Sequence, residues 1–145
     1  MSRVSRWAVA YLGAALTFCI LDGLWIGLVA QKIYSHFLPQ LLANSPALVP
    51  AAVFYLGYLV GVVHLAVRPG QLRRTSQRLR DGALLGAVAY GTWGFTAAAL
   101  LRGFPLAVTL SDVAWGAVLT GASAVGGGLA LAVRDGHSPA RRQGK

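Results

Sequence analysis

Apolar residues in this chain neither alternate with polar ones at the two-residue period of a strand nor gather on one face of short helices. They run in four long blocks, at residues 7–30, 48–67, 82–101 and 104–133. About 20 mostly apolar residues in a helix cross the ~30 Å of hydrocarbon in a bilayer, whereas a barrel strand needs only ~10 and alternates. The pattern therefore predicts an all-α, polytopic membrane protein, a single four-transmembrane-helix bundle over residues 7–133. Residues 1–6 form a short leading tail, and 134–145 a basic tail rich in small and polar residues. Arg3 and Arg6 ahead of the first block resemble the charged start of a secretory signal. That block is longer than a signal core and no small-x-small cleavage site follows, so it is expected to be retained.

The connections carry their own signals. Residues 31–47 contain Ile33, Tyr34, Phe37, Leu38, Leu41 and Leu42 at four-residue repeats, broken at Pro39. This fits either a short amphipathic segment on the membrane surface or an ordinary connector. Pro46 and Pro50 mark entry to the second helix. The short turn Arg102-Gly103-Phe104-Pro105 makes the third and fourth helices antiparallel neighbours.

Charge changes the picture. The 145 residues include 13 Lys+Arg against 4 acids, all Asp, for a net charge of +9. Such a balance serves nucleic acid or an anionic membrane equally. Position decides between them. All the basic residues except Lys32 and Arg102 fall in the two tails or in the loop between the second and third helices. By the positive-inside rule those segments, and both termini, face the cytoplasm, and no nucleic acid partner is expected. Arg68, Arg73, Arg74, Arg78 and Arg80 in that loop are candidates for anionic lipid headgroups, with a solvated helix extension as the alternative.

Between helices in lipid, association depends on close backbone approach through small residues. Gly23/Gly27, Gly57/Gly61 and Gly82/Gly86 each form G-x-x-x-G. They predict tight packing within the chain or, alternatively, pairing with a second copy or a partner membrane protein.

Polar residues inside the blocks are the candidate chemistry. Counted at ~1.5 Å per residue, Asp22, Tyr55, Trp93, Thr96 and Asp112 all lie ~8–12 Å below the outer surface. Asp22/Trp25 and Asp112/Trp115 are both D-x-x-W, so each acid shares a helix face with an indole. Tyr55/Tyr58 and Tyr90/Trp93 pair aromatics in the same way. A carboxylate in hydrocarbon costs about 2.5–3.5 kcal/mol at least, and no Lys or Arg lies within the spans to neutralise one. Asp22 is then either part of a ligand or proton site or a structural acceptor for Tyr or Trp on a neighbouring helix. Asp112 is either part of the same site or, with Ser111, a cap where the fourth helix starts. His64 has no second ligand at metal spacing, so neither metal nor cofactor is expected. Cys19, the single cysteine, excludes an internal disulfide and reads as a small buried apolar residue.

With those residues in view, the chain resembles a bacterial family of small predicted membrane proteins, domain of unknown function 2177. The resemblance rests on Leu21-Asp22-Gly23-Leu24-Trp25, Phe54-Tyr55-Leu56-Gly57-Tyr58, Ala89-Tyr90-Gly91-Thr92-Trp93 and Asp112-Val113-Ala114-Trp115-Gly116. It implies the four-helix architecture, the bacterial cytoplasmic membrane and these candidate positions, but no activity. The family's third-helix segment reads Y-G-T-Y-D-L-T-N. Here Gly94 and Ala97 replace its Asp and Asn, which implies a reduced or altered site. Three readings follow from the residues: a non-enzymatic binding or carrier protein for a small amphipathic or lipid-like ligand, an oligomeric transporter or channel subunit, or an accessory subunit of a larger membrane complex. An enzyme lacks any nucleophile–base pair or metal motif here.

Overall fold

A computed structural model describes residues 2–41, 43, 45 and 47–136. The basic tail beyond 136, with Leu42 and Pro46, lies outside the described residues. Helix α1 (Arg3–Trp25) begins at Ser2, whose hydroxyl accepts the Ser5 N–H at 3.2 Å. It passes without a break through a π-helical turn, Ile26–Ala30, into α2 (Gln31–Phe37). The rod ends at Leu38, because the residue before a proline is pushed out of the helical region. A single 3₁₀ turn follows at Pro39–Leu41. Helix α3 (Leu48–Val62) also ends in a π-helical turn, Val63–Val67. Helix α4 (Thr75–Leu100) and helix α5 (Leu106–Gly136) are joined by a turn in which Gly103 takes φ +75°. No strand occurs among the described residues, and four segments are long and apolar enough to cross a membrane.

Two boundaries differ by seven residues from those read in the sequence. The amphipathic stretch after residue 30 is no separate surface segment. Its first turns continue α1, because nothing between Trp25 and Phe37 breaks a helix. Helix α4 starts at Thr75 rather than 82, because its charged first turns are neutralised locally. Asp81 accepts from Arg73 and, at 3.2 Å, from Arg80, and the Gln77 side chain accepts the Arg74 N–H at 2.9 Å.

The packing inverts that of a water-soluble protein. Large apolar side chains such as Leu12, Leu16, Val53, Leu56, Leu84 and Val118 point outward. Small and polar ones, among them Gly82, Gly86, Thr109, Thr120, Ser123 and Gly127, are buried. This is the arrangement expected where the surroundings are lipid and helices gain by close approach. The α4–α5 hairpin is the tightest contact. A Cβ on Gly82 would sit 2.7 Å from the Thr120 carbonyl oxygen, and one on Gly94 would sit 2.8 Å from Thr109 Cγ2. Helix α1 crosses α5 at Gly13 and Gly126–Gly127. The Val63–Val67 turn packs against α1, α4 and α5, whereas α3 itself approaches its neighbours only sparsely. One end of α3 is thus tied down while the other leaves a gap.

The three glycine pairs are placed differently. Gly82 and Gly86 are interface residues, but a Cβ on Gly23, Gly27, Gly57 or Gly61 would meet nothing within 4 Å. Those four do not pack within the chain. Cys19 is likewise exposed on the surface of α1 rather than buried. The basic segments do gather at one end of the bundle. Arg6 pairs with Asp135 at 3.1 Å and donates through Nε to the Pro69 carbonyl at 3.0 Å, joining the start of α1, the end of α5 and the loop before α4. Of the five loop arginines, Arg73 and Arg80 are engaged by Asp81, and Arg78 donates to the Val67 carbonyl at 3.1 Å. Arg68 and Arg74 form no ion pair among the described residues, and Arg80, though paired, is largely exposed.

Candidate functional site: an aromatic cavity with two carboxylates

At the opposite end, the gap left by α3 is a cavity of about 430 Å³. The α1–α2 rod contributes Asp22, Trp25, Ile26, Ala30 and Tyr34. Helix α3 gives Ala51, Phe54 and Tyr55; α4 gives Ala89, Tyr90 and Trp93; α5 gives Asp112 and Trp115. The π-helical turn explains how one rod lines so much of it. Asp22, Ile26, Ala30 and Tyr34 are spaced by four residues, which in an α-helix of 3.6 residues per turn drifts about 40° at each step. The wider π turn removes much of that drift and keeps Tyr34 above Asp22.

Asp22 is buried, with 6% of its surface exposed. One carboxylate oxygen accepts from the Tyr55 hydroxyl at 2.7 Å and the other from Trp115 Nε1 at 3.2 Å. It therefore ties α1 to α3 and α5. The two D-x-x-W motifs interlock: Trp25 and Trp115 stack with ring centres 4.5 Å apart and planes 6° from parallel, while Trp115 also serves the acid of the other motif. Asp112 accepts from the Tyr34 hydroxyl. It stands well inside α5, whose first residue is Leu106 just after Pro105, so it does not cap that helix. No Lys or Arg lines the cavity. Both carboxylates meet only neutral donors.

Seven of the nine sequence candidates come together here: Asp22, Trp25, Tyr55, Tyr90, Trp93, Asp112 and Trp115. Tyr58 does not line the cavity. It packs edge-on to Phe18, and its hydroxyl shares a 2.8 Å hydrogen bond with the buried Thr120. Thr96 points away, on the exposed face of α4. Tyr34 was missed as a site residue. Its place three four-residue steps after Asp22 was the available signal, hidden because the apolar block ends at residue 30. Phe54 was missed too, although it precedes Tyr55 and stacks on Tyr58 with centres 5.2 Å apart. Among the described residues no three His, Cys, Asp or Glu side chains come together to hold a metal.

The comparison that decides the family is direct: the pattern of the predicted membrane proteins designated DUF2177 matches residues 7–129. The chain belongs to the DUF2177 family. That match reaches into all four spans and takes in every residue lining the cavity. No curated protein and no solved structure matches the chain. In this DUF2177 member Gly94 is pressed against Thr109. The Thr109 hydroxyl donates to the Gly94 carbonyl at 3.0 Å.

Proposed function

We propose that this DUF2177 protein holds a small amphipathic or lipid-like molecule in the aromatic cavity and acts as a binding or carrier protein rather than an enzyme. The observation that carries this reading is the cavity itself. Its walls are aromatic and aliphatic, its polar groups are two carboxylates without a cation, and it opens between helices. An apolar body would lie against Trp25, Phe54 and Trp93, and a head bearing hydroxyl or ammonium donors would meet Asp22 and Asp112. Spare lone pairs on the carboxylates and the negative faces of the indoles favour such donors. The distribution of basic residues supports placing both termini on the cytoplasmic side, and the family resemblance implies a bacterial cytoplasmic membrane.

Native mass spectrometry of the protein extracted in mild detergent tests the reading. Wild type should retain a small molecule that is lost in Trp93→Ala, a residue 59% exposed and outside the buried core, so that folding is spared. A wild-type protein that carries nothing, or a Trp93→Ala variant that retains the same species, would refute it. A second reading, assembly into an oligomeric transporter or channel, is favoured by the open glycine positions on α1 and α3. Cross-linking in the membrane should then weaken with Gly57→Leu.

A further inference from the structure

We propose that the groove at the arginine-rich end of the bundle is a binding site for the phosphate headgroup of an anionic phospholipid. It is separate from the aromatic cavity and does not depend on it. The groove has a volume of about 550 Å³ and is framed by Arg3 and Trp7 from α1, His64 from the π-helical turn, and the loop residues Arg68 and Gln71.

Its charge is one-sided. Arg3, Arg68 and Gln71 offer N–H donors, and no carboxylate lines the groove. The acids nearest in the fold are already engaged: Asp135 with Arg6, and Asp81 with Arg73 and Arg80. Within the groove itself an anion would meet no carboxylate, although Asp81 lines an adjoining pocket with Arg68.

The loop is also fixed before any ligand arrives. Arg6 holds the Pro69 carbonyl and Arg78 holds the Val67 carbonyl, so two arginines act as braces. Arg68 Nε donates to the Leu65 carbonyl at 2.8 Å, which aims the guanidinium while leaving its terminal N–H groups free. Arg68 itself is the one non-glycine residue with positive φ among those described, at φ 50° and ψ 72°. That conformation is disfavoured for a side-chain-bearing residue, and here a glycine would fit without strain. A strained backbone that nevertheless carries a charge into a groove points to a function for the charge.

A phosphate oxygen fits the fork of an arginine better than most anions do. The choice of a lipid over free phosphate comes from the apolar side of the groove. Leu65 is 47% exposed, and Trp7 lies against His64 with ring centres 5.6 Å apart, at the level where tryptophan anchors helices to an interface. An acyl chain attached to the phosphate would continue along that surface.

The test uses the full chain in detergent, titrated with phosphatidylglycerol, phosphatidylcholine or inorganic phosphate and read by native mass spectrometry. Wild type should hold phosphatidylglycerol in preference to phosphatidylcholine. Arg68→Gly removes the guanidinium while relieving the backbone, and Arg3→Gln acts near an exposed helix start; each should weaken phosphatidylglycerol about tenfold. Arg74→Gln makes the same change of charge in the same loop outside the groove and should leave binding within about twofold. Equal weakening by Arg74→Gln would mean diffuse attraction and overturn the site. So would unchanged binding in both groove variants. Inorganic phosphate that binds as well as the lipid would overturn the lipid as its occupant.

Discussion

Replacing Gly86 by alanine adds one methyl group where the α4–α5 contact leaves no room. The new Cβ would lie 2.6 Å from the Gly116 carbonyl carbon and 2.6 Å from Thr120 Oγ1, and closer still to the Gly116 carbonyl oxygen. Carbon atoms rest about 3.5–4.0 Å apart, so the helices must separate by about 1 Å. The obstacle is backbone, which cannot rotate aside. A gap of that size forfeits a quarter to a half of each dispersion contact along the interface, and overpacking in a closed core costs about 3 kcal/mol. Gly57→Ala is the matched control. Its Cβ would meet nothing within 4 Å, and alanine is the better helix former by about 1 kcal/mol in water. Unfolding in mixed detergent and denaturing-detergent micelles, followed by far-ultraviolet circular dichroism, should place Gly86→Ala well below wild type and Gly57→Ala at or above it. Equal destabilisation by both would refute the reasoning, since Gly57 would then be packed against something as closely as Gly86 is.

Asp22→Ala leaves the Tyr55 hydroxyl and the Trp115 N–H without an acceptor, and it should destabilise by about 1–3 kcal/mol in the same micelle assay. Tyr55→Phe removes one of those bonds only and should cost about 0.6–1.7 kcal/mol, the range for hydrogen bonds between membrane helices. Tyr34→Phe cuts the tie between α2 and Asp112, so amide hydrogen exchange should rise in Gln31–Phe37 while α4 and α5 stay protected. Asp135→Asn breaks a half-exposed pair with Arg6 and should lower stability by less than about 1 kcal/mol, with the difference fading in high salt.

The helical class, the four spans and the clustering of basic segments at one end were all legible in the sequence. The reason is that each is a one-dimensional property. Hydrocarbon thickness sets the length of an apolar run, and an even number of spans returns the chain to the side on which it began. The candidate site was legible to the extent that depth alone determines it. Counting residues from the span ends brought Asp22, Tyr55, Trp93 and Asp112 to one level, and the D-x-x-W spacing put each acid beside an indole.

What counting could not supply was rotation about each helix axis. Thr96 shares the depth of the cavity but faces outward, and Tyr58 turns toward Thr120. Three G-x-x-x-G pairs look alike in the sequence, yet only Gly82/Gly86 meets another helix. A π-helical turn, which no residue pattern announced, carried Tyr34 onto the face of Asp22. The sequence by itself determined how far each group lies into the membrane and which end of the bundle is basic. Only the tertiary structure decided which faces meet, because that depends on the fit of one helix surface against another. That fit turned a scatter of intramembrane polar residues into one cavity, and it set Arg68, among five similar arginines, beside a second.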